Sequence, residues 1–363
     1  MKIGVITLPF SPNYGWLMQA YALQKTLESQ GHDVVLISRK WNLRKSNSGL
    51  LNKILRPLYY NINCGGLFRF YNRHINKTRV YRNVEELKTV TSEYHLDAVV
   101  VGSDQVWRIE DTRGVGYNFF LDFVPSGIIK LSYAASFGND CWKGNSSDNM
   151  VISRLLSGFS GISVRESSGI IICKQMFDKD ALCHIDPTFL LTSSQYDATL
   201  NHPDKYKGTH KLVTYILDPS PEKDSFIDKV ATKKGLSVVK LYPTAKNNRL
   251  RFFRPMIEWL QYIRNSEYVI VDSFHGLAFC LIYHKEFVVI ANKHRGNTRF
   301  ENILSRFGLL DRLLFDTKSF NIDELTPIDS HKIDMIISSE IKKSKDYLNS
   351  ILGGVKYEDC NNY

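Results

Sequence analysis

Residues 2–38 constrain the fold more than any other stretch: "KIGVIT", then "YGWLMQAYALQKTLESQG" (14–31), then "DVVLIS" (33–38). Two short apolar runs joined by a segment of helical periodicity form a strand–helix–strand unit, and that order lays the strands parallel. Further β-rich runs, "LDAVVVG" (96–102), "KLSYAASFG" (130–138) and "GISVR" (161–165), extend the first sheet. After a polar stretch at 192–210 that holds Pro203, strands at 211–217, 237–242, 268–272 and 287–291 alternate with helices at 222–235, 256–265 and 276–284. The expected architecture is α/β: two Rossmann-like lobes whose parallel sheets face a central cleft. The first lobe is expected at 1–200 with an insertion at 39–82, and the second at 205–330. The segment 331–363 is expected to hold a helix, from about His331 to Leu352, that crosses back to the first lobe.

At 363 residues the chain exceeds one ordinary core, which agrees with two lobes. Hydrophobic residues at 43% and aromatics at 12% exclude disorder as the general state. The six cysteines (Cys64, Cys141, Cys173, Cys183, Cys280, Cys360) form no CxxC pair and mostly sit in apolar segments, which points to a reducing compartment. No uninterrupted apolar run is long enough to span a bilayer, and "MKIGVITLPF" has strand alternation rather than the regions of a signal peptide. A soluble, cytoplasmic protein is therefore expected.

The net charge of +10 is local, because residues 39–82 hold eleven Lys or Arg and no acid. That segment mixes its cations with Trp, Tyr, Phe and Leu, which suits anionic lipid headgroups or polyphosphate; the alternative is a solvated insertion with a buried seam. Helix-turn-helix, zinc-finger and RNA-binding aromatic signatures are lacking, so no nucleic-acid partner is expected. Neither HxxxH nor HExxH occurs, and no Walker loop or GxGxxG follows the first strand, so no metal and no nucleotide cofactor is expected.

Polar clusters recur at strand ends, where ligands of open parallel sheets bind. They are Asn13, Tyr14 and Gly15 with Gln19; Ser103, Asp104 and Gln105 with Trp107; Arg165 and Glu166; Asp186; and Asp272, Ser273, Phe274, His275 and Gly276. Ser273 can cap the following helix, which puts His275 in a first turn that favours an anion; the alternative is a capped core histidine. Gly276 permits close approach of backbone or of a neighbouring helix. Arg165 offers a fork suited to carboxylate or phosphate, or an internal pair with Glu166 or Asp186. Asp104 is either a catalytic carboxylate or an Asp bonding its own turn.

Taken together and in order, "NYGWLMQAYALQKTL", "VVVGSDQVW", "SYAASFG", "ISVRE", "IDPTFLL", "DSFHGLAF" and "RGNTRFENIL" resemble the polysaccharide pyruvyl transferase family, from Ile3 to about Leu310. The resemblance implies a GT-B-like pair of lobes. It also implies transfer of a pyruvyl group from phosphoenolpyruvate to two hydroxyls of a sugar, as a ketal, in bacterial capsule or exopolysaccharide synthesis. Phosphoenolpyruvate is then a co-substrate and no cofactor is required. By resemblance Arg165 holds the donor's carboxylate or phosphate and His275 lies against the donor as acid, with Ser273, Phe274, Gly276, Arg295 and Arg299 on the donor side. Asp104 takes the hydroxyl proton, although acid and base could be exchanged. Asn13, Gly15, Gln19, Ser103 and Trp107 face the acceptor sugar. Many members carry "RLHG" where this chain has Ser273, Phe274, His275 and Gly276, so Lys293, Arg295 and Arg299 are the candidates for the missing charge. An acceptor on a polyprenyl diphosphate carrier would give segment 39–82 a purpose at the inner face of an anionic membrane. Two rivals accompany this reading: a GT-B glycosyltransferase using a sugar nucleotide, and a non-catalytic protein that binds anionic saccharide.

Overall fold

The computed structural model describes residues 1–40, 64–112, 116–200, 204, 206–242, 252–291, 297–318 and 320–353. The chain begins with β1 (Lys2–Ile6), α1 (Tyr14–Ser29), β2 (Asp33–Leu36), α2 (64–74), the single turns α3 (Val84–Leu87) and α4 (Val90–Glu93), and β3 (Ala98–Val101). There follow the turn α5 (Ile109–Thr112), β4 (Ile129–Ser132), α6 (Ser146–Leu156), β5 (Ser163–Val164), α7 (Ser167–Phe177), β6 (Leu182–Cys183) and α8 (Ser193–Leu200). The second half runs β7 (Lys211–Tyr215), α9 (Pro221–Lys234), β8 (Ser237–Lys240), α10 (Met256–Asn265), β9 (Tyr268–Val271), α11 (Phe274–Ile282) and β10 (Glu286–Ile290). It closes with α12 (Thr298–Phe307), β11 (Leu313–Leu314) and α13 (Ser330–Leu352).

The first sheet has the order β2-β1-β3-β4 and the second β8-β7-β9-β10-β11, with every pair parallel. In each, the chain steps one way from its first strand and then the other, so strand order reverses between β1 and β3 and again between β7 and β9. Such switch points open a crevice at the carboxyl ends of the strands. All four residues of β3 and of β9 are buried, as expected of parallel strands covered on both faces. Beyond β4 the short pair β5–β6 continues the first sheet through the bridges Leu131↔Gly161 and Ala135↔Val164.

Helices α1 and α11 carry the lobes onto each other. Thirteen of the sixteen residues of α1 and eight of the nine of α11 are buried, so neither has a solvent face and each is a core helix. One hydrophobic core runs through both lobes. Tyr14 of the first lobe stacks on Trp259 of the second, with ring centres 5.0 Å apart, and its hydroxyl donates to the Arg254 carbonyl at 2.9 Å. Helix α13 ties to the second lobe through Asp334–His284 and Glu340–Arg306. Its later turns bond the first lobe: Tyr347 to the Ser132 carbonyl at 2.9 Å, and Asn349 to Gln30 at 2.8 Å.

The local differences from the sequence reading have simple causes. The run at 130–138 stops being strand at Ser132, and Ala134 takes a left-handed φ of 48°. The two-residue strands β6 and β11 are too short to leave a periodic signal. The polar stretch from 192 opens with helix α8 rather than with loop. Among the described residues, no helix is long and apolar enough to cross a membrane.

Candidate functional site

The ends of β9 and β5 converge. At the end of β9, Ser273 caps α11 by accepting the Gly276 N–H at 3.0 Å, and this fixes His275 in the first helical turn. Its ring leaves the second lobe and lies against the start of α1, where a β-carbon on Gly15 would be 2.0 Å from Nδ1. From the first lobe, Arg165 follows β5 and is 5% exposed. Its Nε donates to Glu166 at 2.8 Å and its Nη1 to Asp186 Oδ2 at 2.9 Å. The same Asp186 oxygen lies 3.8 Å from His275 Nε2, so arginine and imidazole flank one carboxylate. The Phe274 ring completes the join, with the Arg165 guanidinium 4.8 Å above it in a cation–π contact.

Asp186 is the hub of this arrangement. It is fully buried, its Oδ1 accepts from both the N–H and the hydroxyl of Thr188, and its Oδ2 accepts from Ser103 as well as Arg165. Burial alone would raise its pKa, but His275 and Arg165 outweigh burial and hold the carboxyl below its ordinary value. For Arg165, burial is likewise overcome by Glu166, Asp186 and Asp104, which push its pKa up. His275 goes the other way: burial lowers its pKa, Arg165 and Arg299 add to the fall, and Asp186 and Asp104 oppose it. In the free protein the imidazole is therefore held toward neutrality. Two buried nitrogens, Arg165 Nη2 and His275 Nε2, have no hydrogen-bond partner among the described residues.

Arg165 and His275 thus meet across the lobes, but around a carboxylate rather than around open space, and the internal pairing of Arg165 with Glu166 and Asp186 is present. Asp104 bonds its own turn, with Oδ1 accepting the Gln105 N–H at 2.8 Å and φ at 84°, a left-handed value that Asp tolerates better than most residues. Phe274 and Gly276 are buried; a β-carbon on Gly276 would meet Ser273 Oγ and Val271 at 2.9 Å, so close packing accounts for this glycine. Arg299 opens α12 near enough to depress His275. Lys293 and Arg295 lie outside the described residues.

The acceptor-side expectations need correction. Trp107 is fully buried, stacks on Phe120 and donates its indole N–H to the Phe119 carbonyl, so it offers no face to a sugar. Gln19 is fully buried, with its amide nitrogen donating to Thr7 and the Trp16 carbonyl while its Oε1 has no hydrogen-bond partner among the described residues. Ser103 is fully buried and committed to Asp186. Gly15 faces His275 rather than solvent, and Asn13, though exposed, caps α1 through the Trp16 N–H. All five stand where the strands and helices were expected to put them; what sequence could not weigh is the burial of Trp107, Gln19 and Ser103, whose bonded partners all belong to the first lobe.

Asp186 was underrated as a mere partner for Arg165, and the Asp-Pro-Thr order, which lets one carboxylate bond the residue two ahead, was its available signal. Residues 41–63 of the basic segment lie outside the described structure. Of its described cations, Arg39 is buried on Asn118 and Arg79 pairs with Glu93, so part of that charge is internal. No cluster of three or more His, Cys, Asp or Glu among the described residues is arranged to hold a metal ion.

A model of the family described as polysaccharide pyruvyl transferase matches residues 13–294. No curated protein matches the chain. Among solved structures, the UDP-GlcNAc 2-epimerase from Neisseria meningitidis bound to UDP-GlcNAc is 10% identical with a TM-score of 0.52, over 97% of this chain and 99% of that one. The S. aureus MnaA–UDP co-structure is 11% identical with a TM-score of 0.53 and full coverage of both chains. The UDP-GlcNAc 2-epimerase from Methanocaldococcus jannaschii is 12% identical with a TM-score of 0.51, over 97% and 99%. At such identities the likeness is one of fold, the two-lobed GT-B type.

Proposed function

The chain belongs to the polysaccharide pyruvyl transferase family, and from that membership we propose that it moves a pyruvyl group from phosphoenolpyruvate to two hydroxyls of one sugar, closing a ketal and releasing phosphate. The observation that carries the donor assignment is the pair of unpartnered buried nitrogens, Arg165 Nη2 and His275 Nε2, on two side chains that flank one Asp186 oxygen. Buried donors without partners are costly and call for a missing acceptor. A molecule carrying both a carboxylate and a phosphate supplies acceptors for the two at once.

The chemistry follows from these groups. His275 protonates the methylene carbon of the donor, leaving an oxocarbenium-like centre at C2. One sugar hydroxyl adds there and passes its proton to Asp104, whose Oδ2 carries no hydrogen bond among the described residues. The C2–O bond to phosphate breaks, the second hydroxyl closes the ring, and the two hydroxyl protons replace those taken up by the methyl carbon and the departing phosphate. Arg165 stabilises the anion throughout, aided by the N-terminal dipole of α11. Asp186 touches no reacting atom; it positions Arg165 and His275.

Release of inorganic phosphate from phosphoenolpyruvate, dependent on an added saccharide, tests this. His275→Asn and Arg165→Lys should each lower turnover by about 10²-fold or more. Calorimetric titration in which wild-type protein binds a sugar nucleotide but not phosphoenolpyruvate overturns the reading in favour of glycosyl transfer. The basic segment 39–82 is proposed to hold the protein at an anionic membrane where a polyprenyl-linked acceptor resides. Failure of anionic liposomes to sediment it at low salt removes that part.

A further inference from the structure

A cleft apart from the Arg165–His275 cluster lies where the two lobes meet. Its volume is about 420 Å³, and it lies between α2 of the first lobe and the start of α10 of the second. One wall is Arg69, Arg73 and His74; the other includes Pro255, Ile257 and Glu258. The helices are held close at one end, where a β-carbon on Gly66 would stand 2.7 Å from Cα of Pro255. Arg69 and Arg73 are exposed, one helical turn apart on the same face, and neither makes an ion pair among the described residues. Like charges at that spacing repel, and nothing in the fold requires both there. His74 adds a third donor, its ring stacked on Phe70 at 4.4 Å.

A short path of contacts joins the cleft to the candidate active site. Tyr14 bonds the Arg254 carbonyl, next to Pro255 in the cleft wall, and the following residue, Gly15, touches His275. Its volume is in the range that accepts a small organic ligand, and inorganic phosphate would fill a small part of it. The opposite wall supplies the Glu258 carboxylate, which pairs with Arg254 at 3.7 Å and stays 36% exposed, beside the apolar Pro255 and Ile257. Paired guanidinium groups facing such a wall match a sugar that bears an anion.

We propose that this cleft binds an anionic saccharide, with Arg69 and Arg73 reading its phosphate or carboxylate. That this saccharide is the acceptor rests on the pyruvyl-transfer reading; the anionic-sugar site itself does not. Titration calorimetry with glucose 1-phosphate, glucuronate and glucose on wild type, R69Q/R73Q, R69K/R73K and His275→Asn tests it. At least one anionic sugar should bind wild type tenfold more tightly than glucose, and which one does so tells phosphate from carboxylate recognition. That preference should vanish in R69Q/R73Q and persist in R69K/R73K and His275→Asn, while phosphoenolpyruvate binding persists in R69Q/R73Q. The proposal is overturned if neither anionic sugar is preferred, if the preference survives R69Q/R73Q, or if R69Q/R73Q also loses phosphoenolpyruvate. Absence of phosphoenolpyruvate binding to wild type alone sinks the donor reading and leaves the cleft standing.

Discussion

Gly15 has no room for a side chain, because a β-carbon there would press on the His275 ring from 2.0 Å. Gly15→Ala should therefore displace the imidazole from Asp186 and lower turnover by about 10²-fold, the scale of an ångström-level misplacement, while circular dichroism stays native. His275 itself makes a second expectation. Burial holds its pKa below the ordinary 6.5, with Arg165 and Arg299 adding to the fall. A bound donor brings negative charge beside Nε2, opposes that fall and favours the protonated ring. Binding of phosphoenolpyruvate near neutral pH should thus take up a proton, read from the buffer dependence of the calorimetric heat, and His275→Asn should abolish the uptake. At this scale the sequence was informative about type and position: Arg165, Ser273 and His275 stand at strand ends and at a helix cap as their neighbours dictate. It marked Asp186 as a strand-end carboxylate and a partner for Arg165 but not as the hub, because the groups that meet there come from segments far apart in the chain.

Among the elements, α13 is the one whose role depends most on partners distant in sequence. His184 lies beneath it, within 4.6 Å of the Tyr347 ring and bonded to Ser163 at 2.8 Å. Burial pulls its pKa down from 6.5 to about 4, Arg306 and Lys343 add to the fall, and Glu340 opposes it. The unfolded chain then binds the extra proton between those values, so stability is complete above pH 6.5 and falls as the pH drops toward 4. The loss is on the order of 3 kcal/mol at most, and His184→Asn should flatten it in denaturant titrations run across that window. Strands of four or more residues were legible in the sequence, as β3 and β9 illustrate, and so were helices such as α1, α9 and α13. The two-residue strands β6 and β11 and the helices α6, α8 and α12 were not, since pairing rather than pattern creates such strands and a polar helix of eight residues like α8 resembles loop.

For the whole molecule, the two sheets share a core through Tyr14, Trp259 and the starts of α1 and α11. Thermal unfolding should accordingly be a single transition, with far-ultraviolet and near-ultraviolet dichroism coincident; two separated steps would mean that the lobes are independent. Trp259→Ala, which empties a fully buried site at that junction, should cost about 3–5 kcal/mol and lower the midpoint of that one transition. Two parallel α/β lobes followed from the restart of strand and helix alternation near residue 211. The tightness of their union did not, because the residues that make it, such as Tyr14 and Trp259, come from segments far apart in the chain.

The imidazole of His275 is carried by one half of the protein and seated by the other, against Gly15 and beside Asp186. Were the halves to part to admit a guest, the ring would leave its seat, and only their return would restore it. Turnover would then keep time with that motion, and a wedge holding the halves apart would stop it without touching any group that performs the chemistry.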